Sequence, residues 1–132
     1  MFSNYFSELK KTFVYKGRTS RKSFWLFAVI HTILLLSVLG LIFLSDALAK
    51  GDTKSIYSTI ETISSILLIP LYLFPTLSIT TRRFHDLNMS GWHQLYSFLP
   101  YIGGLILFIY MCYKSVDENN RYNIVDESAI AL

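Results

Sequence analysis

Residues 23–45 read SFWLFAVIHTILLLSVLGLIFLS and contain no Asp, Glu, Lys or Arg. At 1.5 Å per residue a helix of this stretch reaches roughly 34 Å, more than the ~30 Å hydrocarbon core of a bilayer. A surface helix of a soluble protein keeps a polar face, and this run has none. It is therefore read as a membrane span rather than as one helix of a soluble bundle. A secretory signal is the other reading, since Ala47-Leu48-Ala49 resembles a cleavage site. The apolar region of a signal is only ~7–15 residues long, and the longer run here argues for a retained helix.

Two further uncharged runs follow, from Thr62 to Thr81 and from Ser90 to Tyr113. Each exceeds the ~18-residue threshold for a span. The expected architecture is all-α: one membrane domain over residues 1–132, with three transmembrane helices near 23–45, 60–81 and 92–113. Composition agrees. Of the 132 residues, 52% are hydrophobic and 16% charged, and the mean hydropathy is +0.41. A soluble domain carries about 25% charged residues. The single cysteine, Cys112, excludes an internal disulfide framework and any multi-cysteine metal site.

Prolines interrupt the later spans. Pro70 and Pro75 should kink the second, because proline removes a backbone donor and clashes with the preceding turn. Pro100, Gly103 and Gly104 should bend the third near its middle. A complete break there would leave two halves too short to cross, forming a re-entrant hairpin that returns the tail to its starting side.

Orientation follows from the basic residues in short loops. Segment 1–22 holds Lys10, Lys11, Lys16, Arg18, Arg21 and Lys22, and the 82–89 loop holds Arg82 and Arg83. With three alternating spans these share one side, with eight of the twelve positives, and that side is expected to be cytoplasmic. The acidic tail, 114–132, with Asp117, Glu118, Asp126 and Glu127, is then expected outside. The net charge of +3 and pI near 9.0 are explained by this asymmetry, and no nucleic-acid partner is implied.

Ahead of the first span, Phe2, Tyr5, Phe6, Leu9 and Phe13 form one helical stripe, with lysines on the other face. An amphipathic helix over 3–15, with Ser3 as N-cap, suits the bilayer interface or packs on the protein's own spans. Gly17 should break it, and Thr19 or Ser20 should cap the span that follows. Trp25 and Trp92 stand where interfacial aromatic anchors are expected.

The densest chemistry lies in Arg82-Arg83-Phe84-His85-Asp86-Leu87-Asn88-Met89-Ser90-Gly91-Trp92. Asp86 can orient His85, clasp an arginine or cap a turn, and Ser90-Gly91 reads as the entry to the third helix. Arginine offers a planar fork that matches phosphate geometry. Arg18, Arg21, Arg82 and Arg83 are accordingly expected to contact anionic lipid or a partner, with one of the two loop arginines clasped by Asp86 and the other free. Within the first span, His31 is an intramembrane polar group, which is a functional-site hypothesis by default. Depth matching places Tyr72 and Tyr101 near its level. Three histidines, His31, His85 and His93, are too few and too scattered for a zinc site. No metal and no cofactor is expected.

The pattern R-R-x-H-D-x-x-x-S-G-W resembles that of the YhaH/YhaI-like family of small bacterial inner-membrane proteins, known as domain of unknown function 805. Gly17-Arg18-Thr19-Ser20-Arg21-Lys22-Ser23-Phe24-Trp25 is similar to that family's G-R-x-x-R-x-x-[FY]-W opening. Leu99-Pro100-Tyr101-Ile102-Gly103 resembles its L-I-P-x-I-G, and Asn120-Arg121-Tyr122-Asn123 its closing N-R-[YF]-G. His93 and Asn123 depart from the usual Trp and Gly. The resemblance implies a multi-pass inner-membrane protein with no activity assigned and no catalytic residues to carry over.

Three functions follow as expectations. The first is a non-enzymatic protein that binds membrane lipids or a protein partner at the cytoplasmic face. The second is a subunit of a small oligomeric transporter or channel. The third is a membrane enzyme using His85 and Asp86. A transporter needs more intramembrane polar groups than His31 and Glu61, and an enzyme needs a third catalytic group.

Overall fold

The computed structural model describes residues 2–48 and 54–123. Its described elements are all helical: α1 (Phe2–Lys10), α2 (Arg21–Leu48), α3 (Lys54–Asp86), a 3₁₀ helix (Gly91–Phe98) and α4 (Gly103–Cys112). Helices α2 and α3 are long and apolar enough to cross a membrane. Their 28 and 33 residues correspond to roughly 42 and 50 Å.

Helix α1 is shorter than the expected 3–15. It ends at Lys10, and a tight turn follows, with Lys11 and Thr12 amides donating to the carbonyls of Glu8 and Leu9. Ser3 lies within the helix rather than at its cap. The aromatic stripe divides: Tyr5 is buried against α2, Leu9 is half-buried, and Phe6 and Phe13 are exposed. The Phe2 side chain lies outside the described residues, as do Ala49, Lys50, Asp126 and Glu127. Gly17 turns the chain at a φ of +89°, a conformation glycine adopts without strain. Ser20 then caps α2, its hydroxyl accepting from the Ser23 amide at 3.3 Å.

Helix α3 does not stop at the expected loop. It runs through Pro70 and Pro75 and through Arg82 and Arg83 to Asp86. The arginines are no barrier because both are buried with acidic partners.

The expected third span, 92–113, is corrected. The chain forms the 3₁₀ helix, a turn at Leu99–Ile102, and then α4. Ten residues of α4 rise only about 15 Å, half a hydrocarbon core. Pro100 lacks an amide hydrogen, Tyr101 adopts a φ of +67°, and Gly103 sits so close to the Tyr96 carbonyl oxygen that a Cβ would lie 2.0 Å from it. Leu99 and Gly103 amides close the turn onto Tyr96 and Leu99 carbonyls. The break is complete, and it changes where the described tail lies.

The segment after α4 returns to the end of the molecule that holds the N-terminal loop. The Val116 amide donates to the Asp86 carbonyl at 3.0 Å, and the Thr19 amide to the Arg82 carbonyl at 3.1 Å. The described tail, 114–123, therefore does not lie opposite the N-terminus, as three alternating spans required. The buried apolar core, Tyr5, Phe24, Phe27, Ile79, Phe84 and Met111, belongs to this same end, which we call the cap.

Candidate functional site

Asp86 is the hub of the cap. Its carboxylate is 3% exposed at the residue level. Oδ1 accepts from Arg18 Nε at 3.1 Å and Nη2 at 2.8 Å. Oδ2 accepts from Arg83 Nη1 and from the Ser115 hydroxyl. A carboxylate has about four lone-pair sites, and four donor atoms fill them. Arg18 also holds Asp117 at 2.6 Å, the Val116 carbonyl at 3.2 Å and the Asn123 side chain. Burial pulls the Arg18 guanidinium down, but its bonds to Asp117 and Asp86 outweigh this and hold it above its ordinary value. Two cations and two anions thus join the N-terminal loop, the end of α3 and the tail.

Arg83, 0% exposed, adds the carbonyls of Met111 at 3.4 Å and Tyr113. Cations of this kind satisfy the last carbonyls of a helix. Arg82, 2% exposed, reaches to α1 and pairs with Glu8 at 2.6 Å. Its Nε and Nη2, and Arg83 Nε, have no partner among the described residues. Asp86 clasps Arg83, as expected of one of the two arginines, but the expectation that the other is free is corrected: Arg82 is also buried and clasped, by Glu8. Asp86 lies three positions from Arg83, within reach of a short-range pattern, whereas Glu8 lies 74 positions from Arg82 and no such pattern announces it. Arg21 is exposed, with Nη1 donating to the Cys112 carbonyl at 3.2 Å.

The His85 and Asp86 side chains have separate hydrogen-bond partners. His85 Nδ1 lies 3.2 Å from the Gly17 carbonyl, and its ring stacks on Tyr122 at 3.8 Å. Asn120 locks the same corner, donating to the carbonyls of His85, Asp86 and Val116 at 3.0, 3.3 and 2.8 Å. Ser90 does cap a helix, but the 3₁₀ one, accepting from the Trp92 amide at 3.5 Å. Gly91 packs so tightly on Thr81 that a Cβ would meet its Cγ2 at 2.5 Å. Trp92 is exposed, whereas Trp25 packs edge-on against Phe108 of α4 at 5.4 Å.

His31 is buried, 8% exposed, between Phe27 at 4.8 Å and Tyr72 at 5.0 Å, with rings nearly parallel on both sides. Its Nδ1 lies 3.0 Å from the Tyr5 hydroxyl. Tyr101, the other expected neighbour, is fully exposed at the hairpin tip. Sequence reasoning missed Glu8, Ser78, Ser115 and Asp117. Ser78 donates to the carbonyls of Lys11 and Val14, at 2.9 Å each, and so pins the turn after α1 to α3. The closing N-R-Y-N motif was the one available signal for the tail's docking.

The family described as "Protein of unknown function (DUF805)" matches residues 12–124. Over 120 residues, the chain is 31% identical to "Inner membrane protein YhaI" of Escherichia coli (strain K12), covering 89% of this chain and 90% of that protein. It is 30% identical over 118 residues to "Inner membrane protein YhaH" of the same strain, covering 89% and 91%. No solved structure matches.

Proposed function

We propose, from the premise that this chain belongs to the DUF805 family of proteins of unknown function, that it is a non-enzymatic inner-membrane protein whose cytoplasmic cap binds anionic lipid headgroups. In this reading α2 and α3 cross the bilayer and the 3₁₀–α4 hairpin dips into the cytoplasmic leaflet. Both termini lie in the cytoplasm. The cap end then carries ten of the twelve positives, all but Lys50 and Lys54.

The observation that carries the headgroup reading is the division of labour among the cations. Arg18, Arg82 and Arg83 are consumed by Asp86, Asp117 and Glu8. Lys10, Lys16, Lys22, Lys114 and Arg121 stay exposed and lack an acidic partner among the described residues. Each such residue near an anionic surface contributes about 1 kcal/mol of attraction. The enzyme alternative loses support because the Asp86 carboxylate is engaged by Arg18, Arg83 and Ser115, and His85 is held by Gly17 and Tyr122.

Two measurements test this. A reporter fused after Leu132 should be active only in the cytoplasm, and one placed after Lys50 only in the periplasm. Activity of the first on the outside would overturn the two-span topology. In a Trp25→Phe background, brominated phosphatidylglycerol should quench Trp92 more strongly than brominated phosphatidylcholine. The difference should shrink at high salt and in a Lys16→Gln/Lys22→Gln/Lys114→Gln variant. Equal quenching by both lipids would overturn the headgroup reading.

A further inference from the structure

Three apolar cavities lie along α1 and the groove between α2 and α3. The first, about 170 Å³, is lined by Tyr5, His31, Val38 and their neighbours. The second, about 480 Å³, shares Leu9 and Leu71 with it and includes Lys10 and Phe13. The third, about 330 Å³, shares Leu35, Leu68 and Tyr72 with the first. Together they form a run of adjoining apolar volumes from the Lys10 side of α1 to the α2–α3 seam. Lys10 is the one charged residue lining any of the three.

These volumes open to the surface as apolar clefts, which offer water few partners and suit apolar guests. In a bilayer the guest at hand is an acyl chain. Two observations favour a held phospholipid over passing solvent. Lys10 puts a positive charge at one end of an otherwise uncharged groove. His31 Nε2 is buried inside it with no partner among the described residues. In the tautomer in which the Tyr5 hydroxyl donates to Nδ1, Nε2 carries the ring hydrogen and needs an acceptor. A lipid ester carbonyl supplies one.

We propose that this groove holds one anionic phospholipid, its phosphate at Lys10, an ester carbonyl on His31 Nε2 and an acyl chain between α2 and α3. The proposal deepens the headgroup reading and rests on its placing of the cap in the cytoplasmic leaflet.

Native mass spectrometry of the full chain in mild detergent, with dioleoyl phosphatidylglycerol or phosphatidylcholine added, tests it. The wild type should retain one phosphatidylglycerol per chain through activation that strips other lipids. Filling the groove from either wall, by Leu68→Trp or Leu35→Trp, should cut the retained fraction at least fivefold. Lys10→Gln lies on an exposed position, so folding is not at stake. It should reduce the preference for phosphatidylglycerol over phosphatidylcholine at least threefold. Unchanged retention in a folded Trp variant would overturn the site, as would an unchanged preference in Lys10→Gln. A lipid-free dimer would instead assign the groove to a second copy and overturn it too. The Lys16→Gln/Lys22→Gln/Lys114→Gln variant separates the two readings. It should lose the salt-sensitive quenching of Trp92 and keep its retained lipid; loss of that lipid as well would overturn a distinct groove site.

Discussion

The two halves of the long helices solve the same problem in opposite ways. In the cap, several polar groups find partners far away in sequence: Arg18 meets Asp86, Arg82 meets Glu8, and Ser78 meets Lys11 and Val14. In the outer half, the hydroxyls of Ser37, Ser45, Thr62 and Ser64 fold back on carbonyls of their own helix, at 2.7, 2.7, 2.8 and 3.0 Å. No described side chain between residues 32 and 48, or between 56 and 74, is buried. A polar group facing hydrocarbon must be satisfied locally, because lipid offers no partner. A group in the cap can be satisfied by whichever segment the fold delivers. Damage to the cap should therefore spread across the chain, and damage to the outer half should stay where it is made.

The largest effect is expected at the hub. Asp86→Ala leaves Arg18 and Arg83 without their shared acceptor. Removing one partner from a buried ion pair costs about 3–5 kcal/mol, because the remaining charge is uncompensated. Thermal unfolding in detergent should show it, with faster proteolysis after Tyr113 as the tail comes loose. A variant as stable as the wild type would break the comparison at its strongest point.

The hairpin supplies a matched pair of glycines. Gly103→Ala places a Cβ against the Tyr96 backbone, and Gly104→Ala places one in open space. The first should destabilise by about 1–3 kcal/mol, in the range of overpacking. The second should be neutral or slightly favourable, since alanine is the better helix former. Equal effects would mean that the close approach at Tyr96 does not hold the turn. Below this comes Ser78→Ala, which frees the Lys11 and Val14 carbonyls at the turn after α1. The expected cost is about 1 kcal/mol, the net worth of an ordinary hydrogen bond, read from the same unfolding curves.

How much of this was legible depends on distance in sequence. Uncharged length alone located α2 and α3, and Ser20 and Ser90 were readable as caps because capping is local. The Pro100–Gly104 cluster announced a bend, but only the Tyr96–Gly103 contact decides that the bend is a full break. Of the cap's ion pairs only Arg83–Asp86, three positions apart, was legible. Arg18 and Asp86 stand 68 positions apart, and a periodicity argument reaches only a few turns. Glu8 drew no reading of its own, because nothing nearby in the sequence calls for an acid. Arg18, and the loop arginine that Asp86 was not expected to clasp, were left for lipid for the same reason: charge was visible and the partner was not. His31 fell between these cases. Its stacking on Tyr72 followed from depth matching, whereas the Tyr5 contact depends on α1 turning back alongside the span.

The smallest effect should come from the outer half, at Gly40. A Cβ built there meets nothing within 4 Å, and the residue sits in the interior of α2. Glycine in a helix interior costs about 1 kcal/mol relative to alanine, mostly in backbone entropy. If lipid alone covers this face, Gly40→Ala should raise stability by up to that amount and leave lipid retention unchanged. Small residues in membrane helices serve a second purpose, however, since they let another backbone approach closely. A second copy packed on this face would meet the added methyl, and the variant would then lose stability in a concentration-dependent way. Unfolding of Gly40→Ala at two protein concentrations distinguishes the outcomes. A concentration-independent gain is the result expected if the outer half is a surface that only lipid touches. A concentration-dependent loss would end the contrast between a wrapped cap and a bare outer half, because the outer half would have its own partner.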